Sequence, residues 1–558
     1  MSRIIGIDLG TSTSEIACIL DGVPVVIPNL LGKPVTPSIV HIGDEGEILV
    51  GEPAAAYLFT RPECTFMEVK RLTGSETVLH AHNKDYTPEE LQSKLLRYLC
   101  DCAEAYLHER IERAVITVPA YFTDSQRRLT VKAGELAGLT VERIINEPTA
   151  ASLDYGLENL KESKNILIYD FGGGTLDVTV LELFEGVVDV KASSGNNHLG
   201  GKDFDEMIMR NLTNIKGDER ARMRLKKAAE ECKIALSDRE EFEVSLPFLM
   251  TTASGRPISV ERTISRAEFE EWVQEMIAST RTPMMAALSD AGLTPADLDI
   301  VLLVGGTARM PCVKRFVSEC LSAVPQSLID PELSVVRGAA IQAGIIEGVF
   351  HGDQELVLTD VCPYTLGTSV MREGAFNDKL QFDPLIPRNT TIPTERAKIY
   401  FPYADYQTSV RIDVYQGESS DPENNEMLGD IMLNGIPAAK KGKEPVEVIF
   451  AYDINGILQV KARVVSNRKE VSAEINTAGV DPKPILDLSK WESAPGAKRQ
   501  RPVIRKADKH IAAGRDEQGD LALLVQRLKE ALLLENAEKA ASIREELMQM
   551  LDFLEILK

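Results

Sequence analysis

Over the first 348 residues, short apolar runs alternate with longer amphipathic stretches. Ile4, Ile5 and Ile7 lead into Asp8. Ala114 to Val118 is followed by the polar amphipathic stretch Thr123 to Ala137, then by Ile166 to Tyr169, then by Asp203 to Leu212. Strand-length runs separated by helix-length segments predict an α/β architecture with covered sheets. Glu219 to Leu236 reads as a charged amphipathic helix and Glu241 to Pro247 as an alternating strand, an insertion in the second half of this region. Residues 349–359 form a linker whose centre is the apolar trio Leu356, Val357 and Leu358. From 360 to 478 helical periodicity is lost. Alternating runs such as Val410-Arg411-Ile412-Asp413-Val414-Tyr415, divided by turns at Gln416-Gly417-Glu418 and Asn455-Gly456, predict an all-β domain. Residues 479–558 hold a Pro- and Lys-rich stretch (Pro482, Pro484, Pro495, then Lys498 to Lys506), read as a solvated linker. A helical tail follows, with Leu521, Leu524, Val525, Leu528 and Leu532 on one face.

One device occurs twice. Asp8-Leu9-Gly10-Thr11 after the first apolar run is matched by Asp170-Phe171-Gly172-Gly173-Gly174-Thr175 after Ile166 to Tyr169. In each copy a buried strand delivers a carboxylate to its end, and glycines let backbone N–H groups bend toward anionic oxygens. Thr11, Ser12, Thr13 and Thr175 add hydroxyl donors, and Asp8 and Asp170 suit a hydrated divalent cation that screens phosphates. Either copy alone reads equally as an ordinary Gly-rich turn. The repetition makes coincidence far less probable, and it predicts two related lobes gripping one polyphosphate in the cleft between them.

With 558 residues the chain exceeds one core and predicts three or four domains. A net charge of −23 opposes a nucleic-acid or anionic-membrane surface as main partner. The eight cysteines are scattered except Cys100 and Cys102, whose spacing is neither a zinc knuckle nor a CxxC pair, so buried free thiols are expected. No charged-then-apolar leader and no membrane-length apolar run is visible, and a cytoplasmic location is the expectation.

The motifs IGIDLGTSTS (5–14), VPAYFTDSQRRLT (118–130), INEPTAA (145–151), DFGGGTLDV (170–178), LGGKDFD (199–205), LVGGTARMP (303–311) and NTTIPT (389–394) together are highly specific. The chain resembles the heat shock protein 70 family, the DnaK-type chaperones, and among them the short HscC-like members, over residues 3 to about 478. The resemblance implies a two-lobed actin-like ATPase domain (1–348), a β-sandwich peptide-binding domain (360–478) and a short α-helical lid region (479–558). It implies ATP/ADP, Mg2+ and K+ as cofactors. Asp8, Gly10, Thr11, Ser12, Thr13 and Gly172, Gly173, Gly174 and Thr175 fall on the phosphate and Mg2+ positions, with Gly200 and Gly201 beside them. Asp170 and Asp177 match carboxylates near the cation sites. Lys70 matches the lysine that reaches the γ-phosphate and orders water, and Glu147 the carboxylate that helps place that water, as phosphoryl transfer to water requires. Glu230, Lys233 and Ser237 share one helical face that holds adenosine in the family, with Gly305, Gly306 and Arg309 opposite; a plain surface ion pair is the competing reading of Glu230 and Lys233.

The resemblance further gives Pro119, Arg127 and Leu356 to Leu358 a part in relaying nucleotide state, and lines the peptide cleft with Thr368, Met371, Tyr400, Tyr403, Val410 and Ile412. For Val410 and Ile412 an ordinary β-core role stays open. Expected partners are extended hydrophobic polypeptides and a J-domain co-chaperone, acting on a monomer, with no nucleic acid and no membrane. The chain departs from the family pattern at Lys202, where Glu is usual, at Ala308, where a hydroxyl residue is usual, and at Thr368, where an aliphatic residue is usual. The stretch between Asp205 and Glu230 is short, which puts dependence on the usual exchange factor in question. The tail is short too, so a full lid with its terminal bundle is expected to be absent. Two other functions fit parts of the sequence. A small-molecule kinase shares the two-hairpin fold but has no use for the β-domain, and a regulator dedicated to one native partner fits Thr368 and the short tail. No GxxxxGK[ST] run occurs, which excludes a P-loop NTPase.

Overall fold

The computed structural model describes residues 2–556 apart from 160–161, 214–218, 252–255, 328–329, 331, 351–355, 373–378, 475–487, 515 and 517–518. Pro482, Pro484 and residues 351–355 of the linker thus lie outside the described residues. The chain divides into two compact units: Met1–Pro363 with Ile454–Ile457, and Tyr364–Asp453 with Leu458–Lys558.

The first unit contains the same sheet twice. In the first lobe, the antiparallel strands Ile4–Leu9, Thr13–Leu20 and Val23–Val26 are extended on the far edge of Ile4–Leu9 by parallel Arg113–Val118 and Thr140–Asn146. In the second, antiparallel Ser163–Phe171, Leu176–Phe184 and Val187–Asn196 are extended by parallel Ile300–Val304 and Gln326–Ser327. The central strands are buried on both faces, which is why they read as continuous apolar runs.

Between the sheets lie the helices Glu147–Glu158 and Ser334–Glu347, joined in one core with Ile4, Ala17, Val115, Ile166 and Ile168. They meet through small residues. A Cβ on Gly338 would sit 1.7 Å from the Ala150 carbonyl oxygen, and one on Gly6 would sit 2.2 Å from the Ala340 nitrogen.

The apolar trio of the linker continues the second lobe. Leu356 is buried, and Val357–Val361 is a strand parallel to Val187–Asn196, pairing Val187 with Val357 and Val188 with Leu358. A short apolar run beside an open sheet edge satisfies its backbone groups by extending that edge.

The second unit is a sandwich of two four-stranded sheets. One has the order Lys379–Ile386, Leu366–Arg372, Ser409–Gln416, Glu426–Asn434; the other has Thr394–Tyr400, Val446–Tyr452, Leu458–Val464, Glu470–Glu474. Asn455-Gly456 sits in the connection between Val446–Tyr452 and Leu458–Val464, with Gly456 at a φ of 71°.

The tail differs from the sequence reading. The Lys- and Arg-rich stretch is the helix Ala497–Ala512, which packs with Asp520–Leu533 and Ala537–Ile556 around Trp491, Ile504, Leu521, Leu528 and Leu547. Its buried positions Ala497, Gln500, Ile504 and Ala507 follow helical spacing, but only Ile504 is strongly apolar, and Pro502 interrupts the pattern. A compact terminal bundle therefore exists, although it is short. It is fastened to the sandwich by Asp421, which pairs with Arg527 at 2.9 Å and Lys539 at 2.8 Å, and by Ser419, which donates to Glu530 Oε2 at 2.6 Å. Among the described residues no helix is long and apolar enough to cross a membrane. All eight cysteines are free thiols.

Candidate nucleotide site

Both Gly-rich hairpins have one geometry. Leu9 pairs with Ser14 and Asp8 with Glu15 around the loop Gly10 to Thr13; Phe171 pairs with Leu176 and Asp170 with Asp177 around the loop Gly172 to Thr175. The two loops face each other across the lobes. A Cβ on Gly173 would lie 2.5 Å from Ser12 Oγ, and one on Gly174 would lie 2.9 Å from Thr11 Oγ1. Glycine leaves room there for the Ser12 and Thr11 hydroxyls to lie against the second loop. The second loop is held from behind: Gly201 N–H donates to the Gly172 carbonyl at 3.0 Å, Lys202 N–H to the Gly173 carbonyl at 2.9 Å, and Thr307 Oγ1 to the Gly172 carbonyl at 2.8 Å. Both loops line one cleft of about 700 Å3, together with Lys70, Glu147, Glu230, Lys233, Ser237, Gly305, Gly306 and Arg309.

Five carboxylates and one ammonium meet at the base of this cleft. Lys70, on the short 3-10 helix Val69–Leu72, bonds Glu147 Oε1 at 2.5 Å, and both are largely buried. Glu147 opens its helix, where the N-terminal dipole favours a negative side chain. Asp8 accepts from Thr117 Oγ1 at 2.6 Å, and Asp177 from Tyr121 N–H at 3.1 Å. Burial, reinforced by the charge of Glu147, raises the Asp8 carboxyl to about 6 and the Asp177 carboxyl to about 7. Burial also holds Asp170 and Glu15 well above the usual carboxylate range, with Glu147 adding to it for Asp170 and Asp8 for Glu15. Asp177 Oδ2 is buried without a hydrogen-bond partner. Hard oxygen donors in such excess of positive charge fit Mg2+ or K+. No His, Cys, Asp and Glu among the described residues group closely enough to ligate a metal ion directly.

These raised values set a pH dependence. The folded state binds protons at Asp8 and Asp177 that the unfolded chain has released. Their stabilising contribution is therefore complete below about pH 4 and is lost as pH rises through about 6 and 7, an effect on the order of a few kcal/mol. The melting temperature of the nucleotide-free, metal-free protein should fall between about pH 5 and pH 7.5. Asp177→Asn should flatten that fall; an unaltered slope in the variant would show that Asp177 does not cause it.

On the nucleoside side, Glu230, Lys233 and Ser237 lie on the helix Glu219–Asp238 and all line the cleft. Lys233 Nζ bonds the Gly201 carbonyl at 2.9 Å and Asp205 Oδ1 at 2.7 Å. Opposite, Gly305 has a φ of 82°, Gly306 has open space around its α-carbon, and Arg309 is half exposed, near Asp330 and Glu332.

Arg127 is buried and donates to the Ala120 carbonyl at 2.9 Å and to Asn146 Oδ1 at 2.7 Å, while the Pro119 carbonyl accepts from Phe122 N–H. Asn146 Nδ2 in turn donates to both oxygens of Asp360, on the linker strand, at 3.0 and 2.9 Å. Neither Asn146 nor Asp360 was singled out by the sequence, where they stand 214 residues apart. Glu15 was missed as well, although it holds in the first hairpin the register position that Asp177 holds in the second.

In the sandwich, the six cleft candidates do not form one surface. Ile412 is buried, Val410 half-buried, and Met371 and Tyr403 exposed. Thr368 is buried and donates to the Asp413 carbonyl at 2.7 Å, and Tyr400 Oη donates to Asp383 Oδ2 at 2.6 Å. Thr368 and Met371 lie on a strand regularly paired from Gly367 to Arg372, so alternation sends them to opposite faces.

A duplicated α/β domain with two facing Gly-rich hairpins, followed by a β-sandwich, has the architecture of a nucleotide-binding domain joined in sequence to a separate binding domain. Comparison with known proteins gives the family. The family model described as Hsp70 protein matches residues 4–79 and 76–546. The chain is 45% identical over 480 residues to the chaperone protein DnaK of Thermotoga petrophila and to that of Thermotoga maritima, covering 84% of this chain and 79% of each relative. The DnaK of Thermotoga neapolitana is 44% identical over the same length. The chain belongs to the Hsp70 family. It is an ATP-dependent molecular chaperone with ATPase activity.

Proposed function

We propose that ATP is bound between the two hairpins and hydrolysed at the Lys70–Glu147 pair, and that its state sets how fast the sandwich releases extended apolar polypeptide segments. The observation that carries this reading is that buried pair at the base of the cleft, bonded at 2.5 Å between the facing loops. The loop amides of Thr11 to Thr13 and Gly173 to Thr175 hold phosphate oxygens, while those of Gly10 and Gly172 close the loops on Ser14 Oγ and the Thr175 carbonyl. Lys70 neutralises charge on the transferred phosphoryl group, and Glu147 orients the attacking water. Asp8, Asp170 and Asp177 would hold Mg2+ and K+, mostly through water, and ions bound there would supply the remaining charge neutralisation. Glu230, Lys233, Ser237 and Arg309 orient the nucleoside.

Arg127, Asn146 and Asp360 connect the base of the cleft to the linker strand, so a nucleotide that favours one placement of that strand changes the sandwich it precedes. In the sandwich, exposed Tyr403 and Met371 supply apolar contact, and backbone hydrogen bonds make recognition tolerant of sequence. Thr368, buried on the opposite face of its strand from Met371, takes no part in that contact. A J-domain co-chaperone as partner, a monomeric state and a cytoplasmic location complete the reading.

The test is the release rate of a fluorescent leucine-rich peptide. Release should be at least about tenfold faster with ATP than with ADP. Equal rates in the two states would refute the coupling, and capture of one folded protein without peptide binding would favour the dedicated regulator.

A further inference from the structure

Lys202, which the resemblance sets at a position where the family has glutamate, lies among carboxylates. Its side chain is 5% exposed, and its ammonium lies 2.5 Å from Glu230 Oε1, 3.6 Å from Glu68 Oε1 and 3.8 Å from Asp205 Oδ2. Its own N–H supports the phosphate loop at the Gly173 carbonyl. Glu230 belongs to the nucleoside face, and Glu68 belongs to the first lobe, capping the short helix Val69–Leu72 that carries Lys70.

The network balances. Glu68 also takes Lys226 at 2.7 Å, and Asp205 takes Lys233 at 2.7 Å, so three carboxylates meet three ammonium groups. A glutamate at 202 would leave four carboxylates against two ammonium groups in a largely buried space, where like charges repel strongly. Two of these contacts, Glu68 with Lys226 and Glu68 with Lys202, join the first lobe to the second. Moving the lobes apart would lengthen both.

We propose that Lys202 is a positioning residue for the nucleotide: it holds Glu230 on the nucleoside face and, through Glu68, ties the two lobes together, so that its charge slows ADP release. The proposal rests on the reading of the cleft as the nucleotide site and adds to it a determinant particular to this chain.

The experiment measures dissociation of a fluorescent N-methylanthraniloyl-ADP from the full chain after mixing with excess ATP. Lys202→Met, which keeps length and loses charge, should release it about tenfold faster, and Lys202→Arg should stay within about threefold of the unaltered protein. Adding Glu230→Gln to Lys202→Met should accelerate release little further, because the pair acts together. A rescue by arginine and a non-additive double variant are not expected of a side chain that merely fills space. Release from a folded Lys202→Met at the unaltered rate would overturn the proposal. If that variant does not fold, Glu68→Gln serves instead: faster release supports the tie across the lobes, and an unchanged rate refutes it. Failure of the unaltered protein to bind the analogue at all would remove the underlying nucleotide reading, an outcome distinct from unchanged release.

Discussion

Lys70→Ala is expected to lower the single-turnover rate of ATP hydrolysis by at least about 100-fold while ATP still binds, the scale on which one preorganised donor to a developing anion contributes. Among the described residues, Lys70 is a cation that acts on Asp8, Glu15, Asp170 and Asp177 together, with the Arg127 guanidinium also acting on Asp177. Its removal takes the positive charge from the place where the transferred phosphoryl group must lie. It also strands Glu147, whose bonded partner it is. Glu147→Gln separates the two effects, because it keeps the hydrogen-bonding shape and removes the carboxylate that places water. Hydrolysis in Lys70→Ala within about threefold of the unaltered protein would exclude the assigned chemistry. With hydrolysis blocked, ATP should still speed peptide release, since that step needs binding and not turnover.

Gly338→Ala should destabilise the first unit by roughly 3 kcal/mol or more, an overpacking cost of the kind incurred when backbones are forced apart. Two effects oppose each other. Alanine is the better helix former by about 1 kcal/mol, which on its own would favour the substitution in the interior of Ser334–Glu347. The new methyl carbon, however, would lie 1.7 Å from the Ala150 carbonyl oxygen and 2.3 Å from its carbonyl carbon, and backbone cannot rotate away as a side chain can. Steric exclusion wins. Thermal melting should show a drop of at least about 5 °C for the first unit. A melting temperature equal to or above that of the unaltered protein would mean that the two helices separate without cost.

The duplicated hairpins were legible in the chain because their chemistry is local: a strand, a carboxylate and a Gly-rich loop occupy a dozen consecutive residues. The all-β character of 360–478 was legible for the same reason, since strand alternation and turns are short-range signals. The tail was not. The helix Ala497–Ala512 hides its buried face under lysines and arginines, and only its neighbours Asp520–Leu533 and Ala537–Ile556 reveal which side is covered. Likewise, spacing on a strand let the sequence propose Thr368 and Met371 for one cleft, whereas sheet pairing sends them to opposite faces.

Fold class, the two Gly-rich hairpins and the candidates Lys70, Glu147, Glu230 and Lys233 are readable from the chain alone. Tertiary structure alone decided the partners of those groups. Glu15 faces Asp8 because of strand register, Asn146 meets Asp360 because the linker strand joins the second sheet, and Lys202 meets Glu68 because the two lobes face each other. Periodicity reports which face of an element is buried, but it carries no information about what lies opposite. A buried charge takes its meaning from the charges brought to it across distances that no local pattern spans.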